Sequence, residues 1–129
     1  RVGLLDFQDA MSGHPAYDLV SLLQDARRDV PLSLENEMIE RYLSGSDESP
    51  EPFRAAYMVL GAQRNLRILG VFARLGREYG KPHYIDLIPR VWDHLMRDLN
   101  DPALAPVASL LRAALPTPTP ENLQLLKHP

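Results

Sequence analysis

Between Pro52 and Pro82 the chain contains no proline, while all twelve of its prolines interrupt the rest of the sequence. That uninterrupted stretch, from about Pro52 to Tyr79, is the longest periodic segment. Phe53, Ala56, Tyr57, Leu60 and Gln63 fall on one stripe at helical spacing, and Val59, Leu66, Leu69 and Phe72 carry the apolar surface nearly all the way round. A helix apolar on almost every side belongs at the centre of a bundle. Gly61 and Gly70 each lower its propensity by about 1 kcal/mol relative to Ala, which close approach of neighbouring helices would explain. Gly80 followed by Pro82 supplies the stop signal.

The prolines then divide what remains. Pro15 opens PAYDLVSLLQDARR, with Leu19, Leu22, Leu23 and Ala26 on one face and an end at Asp29-Val30-Pro31. A proline in the first turn is tolerated because its missing N–H has no helical partner there. Ser33 reads as the N-cap of LENEMIERYL, with Glu35 and Glu37 in the first turn, where the helix dipole favours acids. HYIDLIPRVWDHLMRDL follows Pro82, and Pro89 should kink or split it near Ile88. Asp101-Pro102 starts a further helix in which Pro106 falls early enough to be tolerated. The Pro-rich tail, 116–129, carries one more short turn, ENLQLL.

The start of the chain differs. VGLLDF, residues 2–7, is an apolar run of strand length, and a lone strand needs a partner for its backbone groups. No second strong strand is visible. The expected fold is therefore mainly α, with one short N-terminal strand. With 129 residues there is enough chain for one core. A net charge of −3 with scattered basic residues gives no nucleic-acid footprint. The absence of cysteine excludes a disulfide scaffold and a thiolate metal site, and fits a reducing compartment such as the cytoplasm. No apolar stretch is long enough to cross a bilayer.

Chemistry concentrates where the apolar run meets Asp6. A carboxylate at the end of a strand can hold a hard cation such as magnesium, which fills its other positions with water and phosphate oxygens. From spacing alone, Asp6 serves equally well as a cap for the turn that follows. Arg64, Arg67 and Arg74 share one side of the long helix. They read either as a solvated face or as a group facing an anion, since a buried arginine needs a carboxylate or phosphate. His14, His83 and His94 lack metal-ligand spacing and read as structural or surface residues. Tyr57, Tyr84 and Trp92 lie at core spacing.

The string GLLDFQDAMSGHPAYDLVSLLQDAR resembles the segment after the catalytic loop in the aminoglycoside phosphotransferase and choline kinase family of small-molecule kinases. Leu4-Leu5-Asp6, Ala10, Gly13 and Tyr17-Asp18-Leu19-Val20 carry the likeness. It is closer still to the branch that phosphorylates the anomeric hydroxyl of N-acetylmuramate and N-acetylglucosamine in cell-wall recycling. Gln63-Arg64-Asn65, Leu69-Gly70-Val71-Phe72-Ala73-Arg74-Leu75, and Tyr84 followed by Ile88-Pro89-Arg90-Val91-Trp92 extend it. Together these strings run from residue 2 to about residue 115.

The resemblance implies the helical C-terminal subdomain of a protein-kinase-like fold, with Mg²⁺ and ATP used by the whole protein and a small sugar as acceptor. Asp6 corresponds to the metal-binding Asp, and Asp18 to an acid at the helix start that holds the catalytic loop through hydrogen bonds. Gln8 stands where several relatives carry a Glu for a second magnesium; an amide is a weaker ligand for a hard cation. Asp9 reads as a turn residue. Arg64 or Arg74 would face the lactyl carboxylate of muramate, and Asn65 would read a sugar hydroxyl. The family's His-x-Asp-(x)₄-Asn string, which supplies the base, does not occur in residues 1–129. The chain therefore reads as the C-terminal part of a longer kinase, with no catalytic base and no turnover of its own. Its first strand offers an edge on which two copies could pair. An aminoglycoside or choline phosphotransferase, and a non-catalytic helical module on the same scaffold, are the alternatives.

Overall fold

A computed structural model describes residues 12–127. The expected strand at residues 2–7, with Asp6, Gln8 and Asp9, lies outside them. Among the described residues there is no strand. The elements are α1 (Ala16–Leu23), α2 (Leu32–Ser44), α3 (Pro50–Tyr79), α4 (Ile88–Asp98), α5 (Ala105–Ala114) and α6 (Pro120–Lys127). Short 3-10 turns over Pro82–Leu87 and Pro102–Leu104 lead into α4 and α5.

The long apolar segment is the organising element, as its pattern requires. α3 has 30 residues, about 45 Å at 1.5 Å per residue. Helices α1, α4 and α6 and the Pro82–Leu87 turn pack along it. Near its N-terminal end Phe53 and Tyr57 meet Ala16, Val20 and Leu23 of α1 and Ile39 and Leu43 of α2. Ala62, at mid-length, meets Leu95 and Leu99 beside Leu104. Towards the C-terminal end Phe72 packs with Ile85, Ile88 and Val91, and Leu123 and Leu126 of α6 close over them. Gly80 ends α3 in the left-handed region at φ 62°, and its N–H reaches back to the Leu75 carbonyl.

The glycines along α3 differ in purpose. A Cβ on Gly61 would stand 2.6 Å from Asp98 Oδ2 and 3.1 Å from Gln24 Oε1. One on Gly76 would stand 2.4 Å from Ile85 Cδ1. Close approach thus explains Gly61 and Gly76, whereas Gly70 has nothing within 4 Å and is not a packing glycine.

Proline punctuation sets most boundaries. The split near Ile88 falls where Pro89 requires it, with a 3-10 turn before and α4 after. Pro106 sits in the first turn of α5. Asp101 caps the preceding 3-10 turn by accepting from the Ala103 N–H at 2.9 Å. The sequence ENLQLL belongs to an eight-residue helix, α6.

Two boundaries depart from the sequence reading. α1 stops at Leu23 instead of running to Arg28, and beyond it the backbone carbonyls meet side chains from distant parts of the chain. Arg64 Nη1 donates to the Gln24 carbonyl at 3.2 Å, and Arg90 Nη1 to the Ala26 carbonyl at 2.8 Å. Arg90 Nε also donates to Asp29 Oδ1 at 2.7 Å. α2 begins two residues earlier than a Ser33 cap allows. Pro31 is its N-cap, its carbonyl accepting from Glu35 N–H at 3.0 Å, and Ser33 lies within the first turn. That register turns Glu35 inward.

Candidate functional site

Where α1 ends, four helices bring polar side chains together in the interior. Gln24, Glu35, Asn65 and Asp98 are all essentially excluded from solvent. Each arrives from a different element: Gln24 directly after α1, Glu35 on α2, Asn65 on α3 and Asp98 at the end of α4. Gln24 is the hub. Its Nε2 donates to Asp98 Oδ1 at 2.9 Å and to Glu35 Oε1 at 3.4 Å, while its Oε1 accepts from Asn65 Nδ2 at 2.7 Å. Asn65 Nδ2 also donates to Asp98 Oδ2 at 3.1 Å. Both amide groups thus have their N–H donors placed. The missing Cβ of Gly61 leaves room for the Asp98 and Gln24 oxygens.

Glu35 is the second centre. Its Oε1 accepts from the Tyr57 hydroxyl at 2.8 Å and from Arg97 Nη2 at 2.7 Å. A buried carboxylate without such partners would be costly. Glu35 Oε2, Asn65 Oδ1, Arg97 Nε and His94 Nε2 are buried without a hydrogen-bond partner among the described residues. Burial pushes the Asp98 carboxyl up to about 7, against the lowering effect of the Gln24 hydrogen bond and the Arg97 charge. Burial, and then the hydrogen bond to Glu35, raises Tyr57 far above the ordinary phenol range. His94 is lowered, first by burial and then by Arg97.

The expected site residues fall in different places. Asn65 is one of the four interior groups, and its amide nitrogen is committed to Gln24 and Asp98, which removes it from a sugar-facing surface. Arg64 is half-buried and uses one donor on the Gln24 carbonyl. Arg67 and Arg74 are exposed and form no ion pair among the described residues. Asp18 is exposed on the first turn of α1 and lines a depression of about 360 Å³ with Pro15, Leu19, Leu22 and Tyr42. His14 is structural: Nδ1 accepts from Ala16 N–H at 3.1 Å. Among the described residues no group of three or more His, Asp or Glu side chains could hold a metal ion, and no helix is long and apolar enough to cross a membrane.

A second pocket, about 380 Å³, opens between α3, α4 and the tail beside Leu69, Ala73, Trp92, Pro118 and Leu125. Its lining is mostly apolar, with Thr117 and Asn122 among its polar residues. Neither pocket is lined by Arg64, Asn65 or Arg74.

Sequence reasoning missed Gln24, Glu35, Asp98 and Arg97 as a group. One signal was present. Asp98 is the last residue of α4, where the helix dipole disfavours a negative charge, so an acid there implies another reason for its presence.

Residues 1–57 match the phosphotransferase enzyme family. Over 120 residues, 92% of this chain, it is 48% identical to an N-acetylmuramate/N-acetylglucosamine kinase of Caulobacter vibrioides. Over its first 57 residues the chain is similar to the phosphotransferase enzyme family. Kinases of the same description from Neisseria meningitidis and Pseudomonas aeruginosa are 40% and 35% identical over 86% and 88% of the chain. The chain spans about a third of the length of these curated relatives, 33%, 36% and 36%. At those coverages residues 24–98, which carry the interior polar group, fall within the likeness.

Proposed function

We propose that the whole protein transfers the γ-phosphoryl group of ATP to a hydroxyl of an amino sugar, N-acetylmuramate or N-acetylglucosamine, and that this chain is its helical acceptor-side part. The observation that carries the reading is the 48% identity to a kinase of that description over nearly the whole chain. In the reaction the sugar oxygen bonds to the γ-phosphorus as the bond to ADP breaks, and the hydroxyl proton passes to a base supplied outside these residues. Catalysis of this kind rests on positioning and charge neutralisation more than on covalent chemistry. With ATP as donor, the reaction belongs in the cytoplasm.

In this reading Asp6 contributes a carboxylate to the magnesium–nucleotide, with Gln8 a weak second ligand. None of the described residues is assigned to the ion, since they form no metal-binding cluster. Asp18, exposed at the start of α1, holds the catalytic loop by hydrogen bonds. Arg74, exposed and without an ion pair among the described residues, and the free donors of Arg64 are the groups available to an acceptor carboxylate. Support for an anionic or neutral acceptor comes from these arginines. A cationic aminoglycoside or choline would favour acids instead.

The test is ADP release by the whole protein with N-acetylmuramate, N-acetylglucosamine, an aminoglycoside and choline side by side. Turnover with the amino sugars is expected, and turnover with only the cationic acceptors overturns the assignment. Arg74→Gln should raise KM for N-acetylmuramate more than for N-acetylglucosamine, because only the former carries a lactyl carboxylate. Equal KM values would remove Arg74 from the acceptor site.

A further inference from the structure

The interior polar group is made of residues that no apolar pattern demands, and it sits at one place only: the junction where α1 ends. α1 has eight residues and is too short to hold itself together without tertiary contacts. Its apolar contribution to the core is Ala16, Val20 and Leu23, with half-buried Leu19 beside them. Its C-terminal neighbour Gln24, by contrast, is fully buried and hydrogen-bonded by side chain to α2, α3 and α4. The Gln24 carbonyl is held as well, by Arg64. An apolar residue at position 24 would bury as well, but would leave Asp98 Oδ1 without its donor and Asn65 Nδ2 with Asp98 alone. Side-chain hydrogen bonds add what apolar contact lacks, a single direction and register for the helix they end.

We propose that Gln24, Asn65 and Asp98 are positioning residues for phosphoryl transfer, clamping α1 so that Asp18 on its first turn stands at a fixed place against the catalytic loop. The inference rests on the functional reading of Asp18 given above. None of the three clamp residues touches substrate. They act through the helix: Gln24 is six positions from Asp18, less than two turns away. Gly61 is part of the device, since a side chain there would push into the Asp98 and Gln24 oxygens.

The experiment is a double-mutant cycle in the whole protein. Gln24→Leu and Asp18→Asn are each made and then combined, with Asp98→Asn as a milder clamp variant and Glu40→Gln, on the surface, as the control. Gln24→Leu should lower kcat about 10- to 100-fold, the range for losing a group that orients another, and leave KM for ATP and sugar within about threefold. Asp18→Asn should cost as much, and the pair little more than either alone, since residues acting as one unit are not additive. Amide exchange should quicken along α1 in Gln24→Leu while α4 keeps its protection. Asp98→Asn, which keeps the shape, should show a smaller loss in the same pattern, and Glu40→Gln none.

Three results overturn the proposal. Multiplying defects in the double variant would show that the clamp and Asp18 act separately. Unchanged kcat in Gln24→Leu and Asp98→Asn would show that α1 needs no clamp, as would a loss of thermal stability spread over the whole chain with kcat preserved. Full activity in Asp18→Asn would instead remove the functional reading beneath it, and the clamp with it. That outcome is distinguishable because α1 exchange would still respond to Gln24→Leu.

Discussion

α1 and α4 both lie against α3, yet they are held there by different means. α4 presents Ile88, Val91 and Leu95 inward on a helical period, all buried. α1 buries Ala16, Val20 and Leu23 while Tyr17 and Leu22 stay exposed, Leu22 by 63%. α4 is an apolar helix that ends in one buried acid. α1 is a short helix that buries an apolar face and has, in addition, a polar anchorage just after its last turn. The difference teaches that an apolar stripe suffices to place a helix, but that a helix required to carry an acid at a set position gains from directional bonds. Burial is indifferent to small rotations, whereas a hydrogen bond weakens steeply with angle.

The contrast can be broken by substitutions in either helix. Leu95→Ala should have the largest effect, about 2–5 kcal/mol off folding stability in denaturant titration, because Leu95 is fully buried between α3 and α5 contacts. A cost below that range would mean the α4 face is less closely packed than described. Gly76→Ala should follow at about 1–3 kcal/mol through overpacking against Ile85. Gly70→Ala, in open space, should instead raise stability by up to about 1 kcal/mol. If both glycine variants behave alike, the assignment of purpose to the α3 glycines fails.

The polar end has its own signature with pH. Burial raises Asp98 from 3.8 to about 7, so its proton is held more tightly in the folded state than in the unfolded. Its contribution favours folding fully below about pH 3.8 and is lost as pH rises through about 7. His94, lowered by burial, acts in the opposite sense: its contribution is present above 6.5 and lost as pH falls. The measurement is therefore the difference in stability between the parent chain and Asp98→Asn from pH 4 to 8. Relative to the variant, the parent should gain stability as pH falls across that window, with Glu35, Arg97 and His94 common to both. A difference independent of pH would contradict the burial of an ionisable Asp98. Leu22→Ala should have the smallest effect, within about 0.5 kcal/mol, as expected for an exposed side chain. A larger loss would mean α1 has apolar support that its exposure does not show.

Much of the α4 side is legible in the sequence because the information is local. Pro89 and Pro106 place helix starts, Gly80 places the end of α3, and the period of Ile88, Val91 and Leu95 names the buried face. The α1 side is less legible because its determinants are far apart along the chain. The helix reads five residues too long, and nothing near Leu23 announces that Arg64 and Arg90 will meet the carbonyls of Gln24 and Ala26. Glu35 looks like a first-turn acid facing water until Tyr57 and Arg97 are seen beside it. Asn65, read as a sugar contact, turns inward because Gln24 and Asp98 await it there. The family strings carry Asp6 and Asp18 as residues with a role, but strings carry no distances, and the interior group consists of distances.

The most direct test of the account is ATP-dependent phosphorylation of N-acetylmuramate by the whole protein and by its Asp6→Asn variant, with sugar phosphate measured at saturating magnesium. The account predicts sugar phosphate from the parent and background from the variant, with thermal unfolding unchanged between them. Sugar phosphate formed by Asp6→Asn at the parent's rate would contradict it.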